Sequence, residues 1–324
     1  MKTLTRAGSL VLFTLCALGT ALAAGIVGAA GSTFDASGRP VPRGQAGGVM
    51  IDCNPFIGVA QNGKATVSFD NLIGQCVDRI ILELGGAGNT KANHTNVKLI
   101  ANEKTIFEDT GARIDARMQY RGIAAAAAFL TLDFSEIKAR SIVGQRVGSL
   151  DTVSAGIRKL TAEIDIGAAA AAPTLSAFAM LTDAPQRDPY TGKVADTAPL
   201  IAKVIAKTFN PGGAGEFPFP FEYQRVAGSF VKRIHLFGAT VTAARIKRNG
   251  MDVWKATDAR NDFIQGEFGR TPQANQITLD FVLDGNMSDM MSMENIKSLE
   301  PYLTASGAGN IVIVAELLDR LGNN

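Results

Sequence analysis

Short apolar stretches with a period of two recur along most of this 324-residue chain. They include "ATVSF", "DRIILEL", "FLTLDF" and "LTAEIDI" in the first half and "QITLDFVL" in the second. Successive side chains of a strand point to opposite faces of a sheet, so this alternation predicts β-strands with one face in a core. Turn-like segments such as "GGAGNTKANHTN" separate the stretches, and we therefore expect a mostly β protein.

The alternation also assigns side chains to the predicted core. The assigned residues are Ala65, Val67, Phe69, Ile80, Leu82, Leu84, Leu130, Leu132, Phe134, Leu160, Ala162, Ile164, Ile166, Ile277, Leu279, Phe281 and Leu283. "NIVIVAEL", near the C-terminus, is apolar on both faces as far as Ala315, which predicts a strand that is covered on both sides.

Asn249-Gly250 in "ARIKRNGMDVWKA" predicts a two-residue β-hairpin, because a type I′ turn needs positive φ at both positions. The predicted cross-strand pairs are Arg248 with Met251, Lys247 with Asp252, Ile246 with Val253 and Arg245 with Trp254. The last pair would place a cation against an aromatic ring.

The segment 196–213, "DTAPLIAKVIAKTFNPGG", interrupts the β pattern. Its apolar residues have helical spacing and lie away from the lysines: Leu200, Ile201, Val204, Ile205 and Phe209. We therefore predict a short helix that connects two β-regions, with "NPGG" as its stop.

These patterns divide the chain into an N-terminal extension, two β-domains of similar size and a connector. The extension consists of an apolar segment, 1–30, and a Gly/Pro-rich arm, 31–63. The first β-domain covers 64–182, the connector with its helix 183–213, and the second β-domain 214–324. Because the connector interrupts the strand spacing for so long, we expect two sandwiches instead of one large barrel.

Residues 1–30 combine a basic start at Lys2 and Arg6 with an uncharged stretch from Ala7 to Ala30. This pattern, with "ALA" before Ala24, is typical of a secretory signal peptide. The stretch is also long enough to cross a bilayer as a helix, which needs about 20 residues.

Composition and motifs do not point to an enzyme or a nucleic-acid-binding protein. The net charge of +2 provides no concentrated basic face, which binding to phosphate backbones requires. The chain has no phosphate-binding loop, nucleophile elbow or zinc-protease motif. Of its two histidines, His94 lies in a polar, loop-like stretch, and His235 is predicted to pack on the same face as Val231 and Phe237. We expect no catalytic residue, no cofactor and no direct contact with nucleic acid.

The candidate cation site lies in "LDGNMSDMMSMEN", where Asp284, Asn286 and Ser288 have the first three spacings of an EF-hand calcium loop. Asp289 replaces the required glycine, and Asn295 replaces the bidentate glutamate. A structural calcium site and a plain strand-to-loop turn are therefore the two interpretations of this segment.

Cys16, Cys53 and Cys76 do not have the spacing of a metal site. Cys53 and Cys76 could form a disulfide if the chain were exported, or could be buried thiols in a reducing cytosol.

Local sequence adds a family resemblance that covers the chain from about residue 64 to the C-terminus. "LTAEIDI" is followed by the Ala-rich "GAAAAAPTLSAFA", and "FLTLDFSEIKAR" and "VGQRVGSLDTVSAGIRKL" precede them. Downstream come "FPFPFEYQRVAGSFVKRIHLFG", the hairpin that ends in Trp254, "NDFIQGEFGRTP" and "QITLDFVLDGNMSD". In this order, the segments resemble the major coat protein of corticoviruses, which are tailless bacteriophages with an internal membrane.

The resemblance implies a double jelly roll, that is, two tandem eight-stranded jelly rolls. It further implies homotrimers with six similar lobes that tile an icosahedral shell over the viral membrane. The implied partners are neighbouring trimers, penton proteins and minor membrane proteins of the virion, and the implied location is the virion capsid, assembled in the host cytoplasm.

Assembly in the cytoplasm would make a cleavable export signal out of place. We therefore expect residues 1–30 to be retained as an arm directed to the viral lipid membrane, with 31–63 providing reach. The competing class is an exported bacterial β-sandwich protein, such as a surface or carbohydrate-binding protein, with a cleaved signal peptide and a Cys53–Cys76 disulfide. The long N-terminal extension, which departs from the coat-protein pattern, favours that class.

Overall fold

The structure, a computed structural model, describes residues 48–123, 126–182, 200–221, 229–294 and 296–322. All of these residues belong to one compact unit, Gln45–Asn324. The strands of the first half are β1 Val49–Asp52, β2 Lys64–Ser68, β3 Cys76–Ala87, β4 His94–Ala101, β5 Lys104–Asp109, β6 Phe129–Asp133, β7 Leu150–Asp151, β8 Leu160–Ile166 and β9 Ala172–Thr182.

The strands of the second half are β10 Ile201–Phe209, β11 Gly215–Pro218, β12 Phe230–Phe237, β13 Val241–Arg248, β14 Met251–Thr257, β15 Gln276–Asp280, β16 Met291–Ser292, β17 Leu299–Ala305 and β18 Ile311–Asp319. The α-helices are α1 Gly111–Tyr120, α2 Ile142–Arg146 and α3 Asp258–Glu267. Short 3₁₀ turns occupy Asp70–Leu72, Lys91–Asn93 and Met287–Asp289.

Each half of the chain folds into a jelly roll of two four-stranded antiparallel sheets. In the first roll the sheets have the orders β1-β9-β3-β6 and β2-β8-β4-β5, and in the second roll β10-β18-β12-β15 and β11-β17-β13-β14. The two-residue strands β7 and β16 extend β3 and β12. The prediction of two eight-stranded jelly rolls is therefore confirmed.

One sheet continues from the first roll into the second. Strands β5 and β10 pair in parallel at Phe107 and Val204, which joins two four-stranded sheets into the central part of the molecule. Each roll has its own apolar core, and strands β10 and β18 contribute side chains to both cores.

The second roll repeats the first element by element. The sheet β1-β9-β3-β6 of the first roll and the sheet β10-β18-β12-β15 of the second carry the same bulge. It lies between Val77 and Arg79 in β3 and between Val231 and Arg233 in β12. The β4–β5 and β13–β14 hairpins also share a bulge position, and a ten-residue helix follows each hairpin. The repeat shows that one architectural unit is present twice in the chain.

The predicted core residues are confirmed with one exception. Fifteen of the seventeen, from Ala65 to Leu279, are buried in the two cores, and Phe281 is half-buried against the second core. Leu283 lies beyond the end of β15, and Val282 is buried there instead. The prediction for "NIVIVAEL" is also confirmed, since Ile313 faces the second core and Val314 the first.

The predicted helix in the connector 183–213 is wrong, because residues 201–209 form strand β10. Ile201 and Val204 lie in the first core, whereas Ile205 and Phe209 pack against the second. A strand that is buried on both faces does not alternate, and here its apolar spacing imitates a helical stripe. Residues 183–199 of the connector lie outside the described residues.

The Asn249-Gly250 turn is confirmed, with φ of 51° and 82°. The pairs Arg248 with Met251 and Lys247 with Asp252 are confirmed, but the two pairs beyond them are wrong. A bulge at Val253 shifts the register, so Ile246 lies opposite Trp254, and Arg245 lies opposite Lys255. The Arg245 guanidinium instead lies 4.8 Å from the centroid of the Tyr302 ring.

The Gly/Pro-rich arm assigned to 31–63 ends earlier than predicted. Strand β1, Val49–Asp52, lies within that range and pairs with β9 as part of the first roll. The predictions for 1–30 and for 31–47 lie outside the described residues. Among the residues that the structure describes, no helix is long and apolar enough to span a membrane.

Candidate functional site

The two rolls meet across a network of buried charges. Its members are the cations Arg117, Arg121, Lys232, Arg233 and Arg270 and the carboxylates Asp109, Asp133, Glu136, Asp280 and Glu316. No side chain of the network is more than 6% exposed. Charged groups are rarely buried so fully unless they are paired, and here each one has a partner of opposite charge.

The first roll contributes helix α1 and the segment after β6. Thr110 caps the helix by accepting a hydrogen bond from the Arg113 amide, which fixes where the helix begins. From the helix, Arg117 reaches Glu316 at 2.7 Å and Asp109 at 3.3 Å. The sequence therefore places a cation of the first roll on the sheet of the second.

Arg121, one residue after α1, continues the contact. Its guanidinium lies 2.9 Å from Asp133 and 3.0 Å from Glu136. Glu136 in turn accepts from Lys232 at 2.9 Å, so a carboxylate of the first roll reaches a cation of the second.

The second roll contributes Arg233, at the centre of the network. Ile234 and Leu236 on β12 face the second core, so Arg233 points to the opposite face of the sheet. Its guanidinium lies 2.9 Å from Glu136, 3.0 Å from Glu316 and 3.1 Å from Asp280. One side chain therefore links the segment after β6 to two strands of the second roll.

His235 lies beside this network and was assigned to the wrong face. Because of the β12 bulge before Arg233, His235 shares a face with Phe237 but not with Val231. Its Nδ1 accepts from Gln276 Nε2 at 3.0 Å, so Nε2 carries the hydrogen and lies 3.4 Å from Glu316 Oε1. His235 is completely buried, and the prediction of a packed structural histidine is confirmed.

The pKa shifts follow from burial and from these neighbours. Burial lowers the pKa of His235, which is therefore neutral at pH 7. Burial would raise the pKa of Glu136, but Arg121, Arg233 and Lys232 outweigh it and hold the pKa well below its ordinary value.

Burial would also raise the pKa of Glu316. The contact with His235 Nε2 at 3.4 Å and the charges of Arg233 and Arg117 outweigh it, and the pKa of Glu316 lies well below its ordinary value. Both glutamates are therefore ionised over the whole neutral range.

This arrangement fixes how the two rolls are oriented. A small rotation of one roll would leave several charges buried without partners, which costs several kcal/mol per ion. Backbone hydrogen bonds reinforce the contact, from the Thr271 amide to the Tyr120 carbonyl at 2.9 Å and from the Arg140 amide to the Gly285 carbonyl at 3.0 Å. The site is thus structural, and its role is to make one rigid body of two rolls.

Sequence reasoning did not identify this network. A signal was present, because Glu316 interrupts a strand that is apolar on both faces, and Lys232 and Arg233 lie within another strand. A charge in a doubly covered strand requires a buried partner, but the sequence does not show which element provides it.

The candidate calcium residues do not form an acidic cluster. Asp284 lies 3.4 Å from Arg140 and accepts from the Asn286 amide, and the Asn286 side chain accepts from the Ser288 amide. Asp289 ends the 3₁₀ turn that starts at Met287. Within the described residues, no group of three or more His, Cys, Asp or Glu side chains could hold a metal ion.

The polar neighbours of His94 predict a loop, but the structure does not place His94 in one. It is the first residue of β4 and is fully buried, and burial lowers its pKa. It packs against Gly111 at the start of α1, where a Cβ would lie 3.0 Å from the His94 Cβ.

Cys53 and Cys76 are free thiols, so the disulfide expected of an exported protein is absent from this pair. Burial, with Asp52 beside Cys53 and Asp78 beside Cys76, raises the pKa of each thiol to about 12. Both are therefore protonated thiols at neutral pH, not the thiolate form that reacts. Cys16 lies outside the described residues.

A cleft of about 700 Å³ opens beside the "GGAGNTK" loop. Alanines 92, 112, 127 and 128 form much of its wall, and Lys91 and Asp115 in the wall pair with each other at 2.5 Å. The lining thus provides apolar surface and one neutralised ion pair, which do not make a catalytic arrangement.

Comparison with known protein families gives two matches that together cover most of the chain. The family model described as "Viral coat protein P2 N-terminal domain" matches residues 50–182. The model described as "Viral coat protein P2 C-terminal domain" matches residues 201–321.

Individual relatives agree with these matches. The chain is 24% identical over 259 residues to major capsid protein P2 of Pseudoalteromonas phage PM2, covering 76% of this chain and 87% of that protein. The crystal structure of that capsid protein has a TM-score of 0.71 at 22% identity and covers 85% of this chain and 98% of its own. The atomic structure of Sulfolobus turreted icosahedral virus has a TM-score of 0.62 at 12% identity, covering 84% of this chain and 91% of its own.

Proposed function

This chain belongs to the viral coat protein P2 family, and from that premise we propose that it forms the trimeric capsomers of an icosahedral phage shell that surrounds an internal membrane. It is a major capsid protein of the type found in phage PM2, and its place is the capsid shell of the virion. The exported surface or carbohydrate-binding protein is not supported by these matches.

The observation that carries the proposal is the double roll held as a rigid body. Because each chain presents two rolls of the same topology, three chains arranged in a ring present six similar lobes. Such a ring has a nearly hexagonal outline, and hexagonal units can tile the faces of an icosahedron. The buried charge network supports this role, since tiling needs a fixed angle between the two rolls of each chain.

We further propose that residues 1–30 act as an arm directed to the viral membrane. The family matches begin at residue 50, so this segment lies outside them. Its uncharged stretch from Ala7 to Ala30 would extend ~36 Å as a helix, at 1.5 Å per residue, which is enough to enter or cross a bilayer.

The remaining partners are proposed on the same premise. Neighbouring trimers, penton proteins and minor membrane proteins would contact the outer surfaces of the capsomer. Direct contact with nucleic acid is not expected, because a net charge of +2 gives little attraction to phosphate. No catalytic activity is expected, and calcium at Asp284, Asn286, Ser288 and Asp289 stays a hypothesis that calorimetric titration can decide.

The test is the mass of the full chain in solution, measured by light scattering at micromolar concentration. We expect a trimer, about three times the chain mass of 34.1 kDa. A monodisperse monomer would contradict the proposal. Intact-mass spectrometry of protein from purified particles tests the arm, because a chain that starts near Ala24 would show that the segment is cleaved.

A further inference from the structure

The repeat within the chain allows each contact between the two rolls to be compared with its counterpart. Within one molecule, α1 of the first roll covers the outer face of the β10-β18-β12-β15 sheet of the second. The counterpart of α1 is α3, and the counterpart of that sheet is β1-β9-β3-β6 of the first roll.

The helices align without ambiguity. Thr-x-Ala-Arg-x-Asp occurs at 110–115 and again at 257–262, and a glycine with positive φ follows each helix, Gly122 at 68° and Gly269 at 70°. In this alignment, Arg117 corresponds to Ile264 and Arg121 to Phe268. Arg117, which binds Glu316 of the second roll, is thus replaced by an apolar side chain, and so is Arg121, whose partners Asp133 and Glu136 lie in the first roll.

These apolar side chains are exposed in the single chain. Phe263 is 66% exposed, Phe268 49% and Ile264 43%. Apolar side chains scattered singly on a surface need no explanation, but three large ones in the second half of α3 and at the residue that follows it form a patch of the kind found at interfaces.

The sheet shows the matching change. Cross-strand pairing aligns the strands, because Arg79 lies opposite Asp133 and Met180 just as Arg233 lies opposite Asp280 and Glu316. Met180 therefore stands where Glu316 stands in the second roll.

The neighbouring position on the same face changes in the same way. Ile81 lies opposite Thr131 and Phe178, as His235 lies opposite Thr278 and Val314. Ile81 thus replaces the buried histidine, and at these two positions the outer face of the first roll is apolar whereas that of the second is polar.

The edge strands provide a third, independent match. Strands β5 and β10 pair in parallel within the chain, whereas their counterparts β14 and β1 are both sheet edges among the residues that the structure describes. By register, Trp254 is the counterpart of Phe107 and Met50 is the counterpart of Val204, the two residues that pair within the chain. The Met50 side chain is 68% exposed. Exposed edge strands with apolar side chains are templates for pairing with another chain.

We propose that β14 and α3 of one copy dock onto β1 and the outer face of the β1-β9-β3-β6 sheet of a second copy. Strand β14 extends that sheet edge in parallel through β1, and Ile264, which stands where Arg117 contacts Glu316 within one chain, covers Met180. The contact is heterologous, because two different surfaces meet, so it propagates from copy to copy until the ring closes. This inference rests on the proposed trimer and names the surfaces that build it.

The first experiment changes the helix patch. In the full chain, Ile264→Asp with Phe268→Asp should raise the concentration at which half of the trimer dissociates by about ten-fold or more. The matched control is Val153→Asp, at a residue that is 52% exposed but lies on neither surface. Sedimentation analysis gives the mass, and circular dichroism shows that each variant is folded, since the changed side chains are exposed.

The second experiment reports the contact directly. Met50→Cys combined with Trp254→Cys should give disulfide-linked dimers and trimers under mild oxidation, because parallel neighbours bring Cα atoms within disulfide range. Each single variant is the control for the native cysteines and should give no ladder.

The outcomes separate this inference from the proposed function. Trimers in the parent and the control, with dissociation of the helix variant and a ladder from the double cysteine variant, support both. A helix variant that stays trimeric and a double cysteine variant without a ladder would overturn the docking inference while the coat-protein trimer stands. A parent chain that is itself monomeric would overturn the trimer and the inference with it.

Discussion

Arg233 lies at the centre of the contact between the rolls because a bulge at Lys232 turns it away from the second core. Arginine suits this position, since its planar guanidinium can bind several carboxylates at once and keeps its charge when buried. Its counterpart Arg79 has the same bulge before it but only Asp133 as a carboxylate within salt-bridge distance among the described residues. The same residue in the same local structure thus has different roles in the two rolls.

Glu136 is the position where loss of one charge should be most costly. It accepts from Arg121, Lys232 and Arg233, so Glu136→Gln leaves three buried cations short of a carboxylate. We expect the free energy of unfolding to fall by about 3–5 kcal/mol, measured by denaturant titration.

The matched control for this change is Glu163→Gln. Glu163 pairs with Lys64 at 3.2 Å on the surface, where both side chains are more than a third exposed. That change should cost far less, because exposed ion pairs contribute little to stability. Equal losses for the two variants would show that the buried network does not hold the rolls together.

The stability of the folded protein should decrease as the pH is lowered. The pKa values of Glu136 and Glu316 are lowered in the folded chain, so their contribution to stability is present above about pH 4.5 and is lost as pH falls below it. The lowered pKa of His235 acts with the same sign from about pH 6.5 downwards, because the unfolded chain then binds the proton more readily. Tm should therefore decrease steadily between pH 7 and pH 4, and a constant Tm over that range would contradict this account.

At the scale of elements, the sequence predicts strands that have one buried face, but it predicts strands with two buried faces less reliably. Strand β8 alternates cleanly, with Leu160, Ala162, Ile164 and Ile166 in the core, and the sequence alone identified it. Strand β10 was mistaken for a helix because its two faces lie in two cores, a tertiary fact that periodicity does not contain.

The hairpin at Asn249-Gly250 offers a test of local structure. Gly250 has φ of 82°, and a Cβ there would meet no atom within 4 Å, so Gly250→Val adds backbone strain without a clash. We expect a loss on the order of 1–3 kcal/mol in the free energy of unfolding. Gly212→Val, at an open position without positive φ, is the control, and equal effects would mean that the turn has no conformational requirement.

At the scale of the whole molecule, the number of rolls and their order were predictable, but their junction was not. The resemblance of local segments gave the double jelly roll, and alternation gave nearly all of the core. The junction between the rolls depends on the ion pair between Glu316 and Arg117, which are 199 residues apart in the chain. No local sequence pattern predicts that these two residues meet. The repeat has one sequence signal, Thr-x-Ala-Arg-x-Asp at 110–115 and 257–262, but the correspondence of Arg79 with Arg233 follows only from cross-strand register.

The ring of six lobes is the central claim, and a cryo-EM reconstruction of the assembly formed by the full chain tests it most directly. The account predicts three copies around a threefold axis, with the first and second rolls alternating and β14 of each copy next to β1 of the following one. A monomer, a twofold dimer, or a ring in which like rolls face each other would contradict it.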